Sequence, residues 1–163
     1  MTHENKPLPV REPLPYGRLT PDFRLESVTG TLYSREQFRG KRGLVLLFLP
    51  QAEPLSAALL RRLKGLWSEF VEINVQVLAI FDARREALMP LAQALDLPFP
   101  VLADADNHVW QLYTHEARRG AALFVLDTYG ALSAQRVLPS VADLPEADEI
   151  LDLARYTQYR CSA

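Results

Sequence analysis

The sequence predicts an α/β domain with a central mixed sheet flanked by helices. Three observations carry this. A continuous apolar run over residues 44–49, and a second run over 75–81 that is apolar except for Gln76, have the length and composition of central strands. The segments after each run carry apolar residues at helical spacing, which supplies the crossovers that parallel strands need. On either side of this middle, pairs of short runs are joined through Gly-containing turns and read as antiparallel hairpins.

The elements follow in order. Pro7, Pro9, Pro13, Pro15 and Pro21 fall before residue 22 with no helical or strand period, so residues 1–22 are expected to form an extended arm along the domain. Residues 23–28 and 31–33 flank Thr29-Gly30, an N-terminal β-hairpin with Gly supplying the turn. Ser34 and Gln37 have capping-box spacing for a short helix that stops at Gly40. The strand 44–49 ends at Pro50. Leu55, Leu59, Leu60, Leu63, Leu66, Trp67 and Phe70 then recur at 3.6 spacing, which predicts one helix with its apolar stripe on the sheet, and Pro54 suits its first turn.

After the strand 75–81, residues 84–95 read as a second helix capped by Asp82 and kinked at Pro90. Residues 98–102 lead into a short strand and 107–113 form a short helix. Residues 122–127 and 131–137 make a hairpin about Gly130, and a last helix over 146–159 presents Ile150, Leu151, Leu153, Ala154 and Tyr156 as its apolar members. The domain is thus expected to span 23–160, with a tail at 161–163.

Composition narrows the function. The 163 residues are 48% hydrophobic and 23% charged, enough for a core that needs neither disulfides nor metals. No apolar run reaches the roughly 20 residues of a spanning helix. A net charge of -2 argues against a dedicated nucleic-acid binder. The N-terminal residues lack the apolar core of a signal peptide, so a cytoplasmic protein is expected.

One cysteine, Cys161, excludes an intramolecular disulfide and a multi-thiolate metal site. With only His3, His108 and His115 beside it, no metal and no cofactor are expected. Asp104, Asp106 and His108 have the spacing of a ligand cluster, but Asp and Asn here fit a turn and a helix N-cap. Arg61-Arg62, Arg84-Arg85 and Arg118-Arg119 read as solvated faces.

The element order, and the residues at its joints, resemble the thioredoxin fold and within it the peroxiredoxins of the alkyl hydroperoxide reductase and thiol-specific antioxidant family. Thr20-Pro21-Asp22-Phe23 looks like that family's opening motif, and residues 29–34 with 38–41 look like its hairpin and short helix. Residues 44–50 resemble the strand that delivers the active-site loop, and 97–104, 123–127 and Gly130 resemble the second half. The resemblance implies redox chemistry of antioxidant type and a homodimer.

The sequence departs from the family at its active site. Peroxiredoxins carry Pro, three residues, Thr, two residues and the peroxidatic Cys; counted from Pro50, the Thr position holds Pro54 and the Cys position Ala57. A register shortened by one residue puts Ser56 at the Cys position, which still supplies no thiol. The family's Arg falls on Ala121, with Arg119 offset by two. Peroxide cleavage needs thiolate attack, and an Ala methyl offers no nucleophile.

No catalytic residue is therefore assigned, and Pro50, Pro54, Ser56, Ala57 and Arg119 are expected to line a vestigial pocket that takes a protein or a small molecule. An anion pocket made by Arg119 and the N–H groups near Ala57 is the sharper form of that expectation. Two alternatives stand beside it: an oxidoreductase or redox sensor working through Cys161, and a non-catalytic assembly module using the Pro-rich arm or Tyr156 and Tyr159.

Overall fold

The computed structural model describes residues 11–161, with side chains as far as Arg160. Residues 1–10 of the expected arm, including Pro7 and Pro9, residues 162–163 of the tail and the side chain of Cys161 lie outside the described residues.

The two apolar runs form the middle of a seven-stranded sheet. Strands β1 (Arg24–Ser27), β2 (Leu32–Ser34), β3 (Gly43–Leu49), β4 (Val75–Phe81), β5 (Val101–Ala103), β6 (Ala121–Leu126) and β7 (Leu132–Leu138) are arranged in the order β2-β1-β5-β4-β3-β6-β7. β3 pairs in parallel with β4, and β4 with β5, while β6 and β1 join this trio antiparallel and carry β7 and β2 at the edges. Every residue of β3 and β4 is buried. Their side chains alternate between two cores: Val45, Leu47 and Leu49 enter one, and Leu44, Leu46 and Phe48 the other.

The helices divide accordingly. α1 (Pro54–Gly65), α2 (Trp67–Glu72), α3 (Arg85–Leu95) and α5 (Ala147–Cys161) cover the first core through Leu59, Leu60, Leu63, Phe70, Leu88 and Ile150. α4 (His108–Thr114) covers the second with Val109, Trp110 and Tyr113. The mixed sheet flanked by helices, with an N-terminal hairpin, is the thioredoxin-like architecture that the sequence predicts.

Local signals account for several joints. Ser34 and Gln37 exchange the two capping-box bonds, at 2.8 and 3.2 Å, around a short 3-10 turn over Glu36–Phe38. Gly40 then takes φ +78°, which only glycine adopts without strain, and its N–H reaches the carbonyl of Thr128 at 2.7 Å. Gln135, fully buried on β7, grips the arm by accepting from the N–H of Leu14 (3.2 Å) and donating to its carbonyl (2.9 Å). Residues 11–22 thus lie along the domain, with Leu14 buried and Leu19 bridged to Ala131.

Four expectations need correction. The single helix expected from 55 is two, interrupted at Leu66, whose N–H bonds back to Leu63 after the Gly65 turn. Leu55 is 54% exposed because it follows Pro54 in the outward side of the first turn. Asp82 does not cap α3: Arg84 precedes the helix with extended backbone and no side-chain cap. Tyr156 is 61% exposed, because the buried stripe of α5 runs through Ile150, Leu151, Ala154 and Thr157, and Thr157 bonds the carbonyl of Leu153 at 2.8 Å and Ser133 at 2.7 Å.

Candidate functional site

In an α/β sheet the groups that do chemistry collect past the carboxyl ends of the parallel strands. Here β3 ends at Leu49, the chain turns through Pro50, and α1 begins at Pro54. Glu53 is the extended N-cap residue without a side-chain cap, Pro54 occupies the first helical turn where its missing N–H costs nothing, and the first helical bond runs from the N–H of Ala57 to the carbonyl of Glu53 at 3.0 Å. Ser56 is fully buried, and its hydroxyl has no hydrogen-bond partner. Ala57 is half-buried and packs on the core under α1.

Arg119 approaches the same strand ends from the other side. Its Nη2 donates to the carbonyls of Leu49 (3.0 Å) and Ile80 (2.9 Å), and its Nη1 to Asn107 Oδ1 (2.9 Å) and Asp104 Oδ2 (3.4 Å). The guanidinium lies over the rings of Trp110 and Phe48, with Cζ 5.0 and 5.6 Å from their centroids. Only 7% of the side chain is exposed. Burial holds its pKa down to about 10, against the pull of Asp104 and Asp82, so it remains a cation at neutral pH.

The expectation that Arg119 belongs to a solvated pair is thereby corrected. Arg118 is exposed as expected, whereas Arg119 is buried because Asp104, Asn107 and two strand-end carbonyls together accept from both its terminal nitrogens. Arg85 also departs from a free charge, pairing with Glu26 at 2.8 Å.

Asp104 caps the start of α4. Its carboxylate accepts from the N–H groups of Val109 (3.2 Å) and Trp110 (3.0 Å) at the start of α4, and Asp106 accepts from the N–H of His108 at 3.2 Å. Among the described residues no group of three or more His, Cys, Asp or Glu stands close enough to hold a metal ion.

Pro50, Pro54, Ser56 and Ala57 are brought to one place, the loop and first turn after β3. Arg119 shares only the strand end with them: its guanidinium lies on the Phe48 and Trp110 face, while Ala57 packs on the opposite core. Four cavities formed by the described residues have linings that include none of those four residues; one of them, of about 240 Å³, is lined by Arg119 with Arg11, Arg118 and Trp110. Sequence reasoning missed that Asp104, Asn107 and Phe48 complete the surroundings of Arg119. The one available signal was Asp104 at capping distance from α4.

A sheet of this order, with a helix springing from the end of its central strand, defines a thioredoxin-like protein. Residues 16–135 match the family model described as the AhpC/TSA family, and the chain belongs to that family. A Coxiella burnetii (strain RSA 493 / Nine Mile phase I) chain assigned as peroxiredoxin bcp is 30% identical over 98 residues, which is 60% of this chain and 64% of that one. This chain therefore matches somewhat under two thirds of that relative's length.

The fold is shared with solved structures at lower identity. Peroxidoxin BcpB from Mycobacterium tuberculosis has a TM-score of 0.76 at 21% identity, covering 89% of this chain and 96% of that one. The reduced 2-Cys peroxiredoxin of Plasmodium vivax has a TM-score of 0.79 at 21% identity, covering 92% of this chain and 85% of that one. No helix among the described residues is long and apolar enough to cross a membrane.

Proposed function

We propose that this chain is a member of the AhpC/TSA family that has given up the peroxidatic step and keeps the fold as a binding module of redox type. The observation that carries this reading is the first turn of α1: Pro54, Ser56 and Ala57 stand where the helix leaves β3, and none of them ionises or changes oxidation state near neutral pH. Reduction of a peroxide proceeds by thiolate attack on one oxygen, which leaves a sulfenic acid and an alcohol or water. The one thiol of the chain, Cys161, belongs to the far end of α5.

Arg119 supports the same reading. In a working site a cation beside the sulfur would lower its pKa and hold the peroxide oxygen. Both terminal nitrogens of Arg119 are instead bonded to Leu49, Ile80, Asn107 and Asp104.

The test is consumption of hydrogen peroxide and of an organic hydroperoxide by the purified protein, with dithiothreitol or thioredoxin as reductant. The rate should equal that of a protein-free control. Turnover above the control overturns the proposal, and its disappearance in Cys161→Ser would assign the chemistry to that thiol.

An assembly role is favoured by one specific feature. Tyr129, Tyr156 and Tyr159 are 64, 61 and 70% exposed, and Tyr129 and Tyr159 line one cavity between α5 and the β6–β7 turn. Tyrosines combine a large apolar area with a polar tip and suit contact surfaces. On this reading the chain is a cytoplasmic homodimer, which sedimentation of the wild type against Tyr156→Ser/Tyr159→Ser would measure.

A further inference from the structure

A cleft of about 610 Å³ opens at the end of the sheet away from Ala57. It reaches Gln76 and Val101, near where β4 and β5 begin, whereas α1 starts beyond Leu49 and the end of β4 at Phe81. Five residue steps of about 3.3 Å from Gln76 to Phe81 put roughly 16 Å between the two ends. The volume lies within the range of roughly 300–1,000 Å³ typical of small-molecule sites.

The walls mix aliphatic, small and polar side chains with three aromatic ones, and Asp96 is the one charged residue among those that line the cleft. Tyr33, Phe38 and Phe99 line it together with Gln93 of α3 and Asp96 just past the end of that helix, and the Phe99 ring also meets Trp67 with centroids 5.7 Å apart. Among the described residues no Lys, Arg or His lines the cleft. The amide of Gln76 is already used, accepting from Arg42 at 3.1 Å and donating to the carbonyl of Val77 at 3.0 Å. The hydroxyl of Tyr33, the amide of Gln93 and the carboxylate of Asp96 make no hydrogen bond or ion pair among the described residues.

Asp96 fixes the sign of the charge. It is the C-cap residue of α3, in the left-handed region at φ +47°, and the last turn of α3 holds no basic residue. A carboxylate there meets the negative end of the helix dipole, so a bound cation relieves both. Lys64 neutralises only part of this end, donating to the carbonyl of Leu95 at 2.9 Å from α1 without lining the cleft.

We propose that this cleft binds a small aromatic cation, one or two fused rings bearing a single ammonium group, with the rings against Tyr33 and Phe38 and the ammonium at Asp96 and Gln93. Apolar walls take the ring, and the unpartnered acceptors of Gln93 and Asp96 take the N–H donors. The inference is independent of the proposed function, since it uses none of the residues after β3.

Tryptamine and indole-3-acetate share a ring system and differ in charge, which makes them the probes. Titration into the isotopically labelled full chain, followed by amide shifts, should give saturable changes at Tyr33, Phe38, Gln93 and Leu97 with tryptamine, and affinity at least tenfold lower for indole-3-acetate. Asp96→Asn keeps a residue that tolerates φ > 0 and should weaken tryptamine several-fold while leaving indole-3-acetate unchanged or tighter. Phe38→Leu, with its spectrum otherwise native, should weaken both. Shifts that do not saturate, shifts centred away from the cleft, or equal affinity for the two probes would overturn the proposal.

Discussion

Arg119 donates to the carbonyl of Leu49 at 3.0 Å, so the strand that leads into the first turn of α1 is held at its last residue by a cation lying on the other face of the sheet. The same guanidinium ties Leu49 to Ile80, Asn107 and Asp104, which joins β3, β4 and the start of α4 at one point.

Removing that cation should therefore unsettle the whole end of the sheet. Arg119→Met leaves the carboxylate of Asp104 buried without its cation and frees the carbonyls of Leu49 and Ile80, a loss of about 3–5 kcal/mol on the scale of broken buried ion pairs. Arg119→Lys should recover little, because one ammonium cannot match the planar fork that serves four acceptors. Urea unfolding of both variants is the measurement, and full recovery by Lys would show that charge alone matters here.

Ser56 predicts the opposite sign. Its hydroxyl is fully buried in α1 and unpaired, so Ser56→Ala removes a desolvated polar group and adds a better helix former. The variant should be more stable by about 1 kcal/mol, read as a higher urea midpoint with unchanged slope. A clear loss of stability would mean that the hydroxyl has a partner in solution.

Tyr113 sets a pH dependence. Its phenol donates to the carbonyl of Pro21, and burial pushes its pKa well up from the ordinary value near 10. Below pH 10 the phenol is protonated whether folded or not, and the stability it contributes is fully present. Above pH 10 only the unfolded chain releases the proton, so that stability is lost. Arg119 works in the other direction: held down to about 10, it releases its proton in the folded state first, and its burial cost shrinks above pH 10.

Tyr113→Phe separates the two groups. At pH 8 it should cost about 1 kcal/mol for the lost hydrogen bond. By pH 11 the gap between variant and wild type should narrow in urea unfolding. A gap that stays constant would remove Tyr113 from the alkaline response.

The contrast between Arg119 and the strand it supports shows how far the sequence was legible. Residues 44–49 announce a doubly buried strand because both faces repeat the same apolar chemistry, and Ser34 with Gln37 announces a cap because the bonds close within four residues. Pro54 marks a helix start for a reason contained in its own ring. Arg119 sits beside another arginine in a pattern identical to a solvated pair, and its burial depends on Asp104, Ile80 and Leu49, the last 70 positions away.

The same holds for Gln135, whose partner Leu14 lies 121 positions earlier, and for Leu55 and Tyr156, which match helical spacing yet point outward at the ends of their stripes. Of the candidate site, the placement of Pro54, Ser56 and Ala57 at one helix start was legible. The commitment of Arg119 to backbone carbonyls was not, since no local pattern encodes a tertiary acceptor.

Restoring a thiol at the helix start tests whether the surroundings still favour a thiolate. In a Cys161→Ser background, Ala57→Cys places sulfur in the first turn of α1, where unpaired N–H groups and the helix dipole favour negative charge. Two features limit the effect: Glu53 sets a carboxylate at the N-cap, and both terminal nitrogens of Arg119 are spent on the other face. The thiol pKa should thus fall only modestly below the reference of about 8.5, as the pH dependence of its alkylation would record, and Glu53→Gln should lower it further. Peroxide turnover should stay weak in Ala57→Cys alone and rise when Pro54→Thr adds a hydroxyl to orient the peroxide. A thiol that titrates at or above the reference, or double-variant turnover no greater than that of Ala57→Cys, would mean that the first turn of α1 no longer has the geometry of a peroxide site.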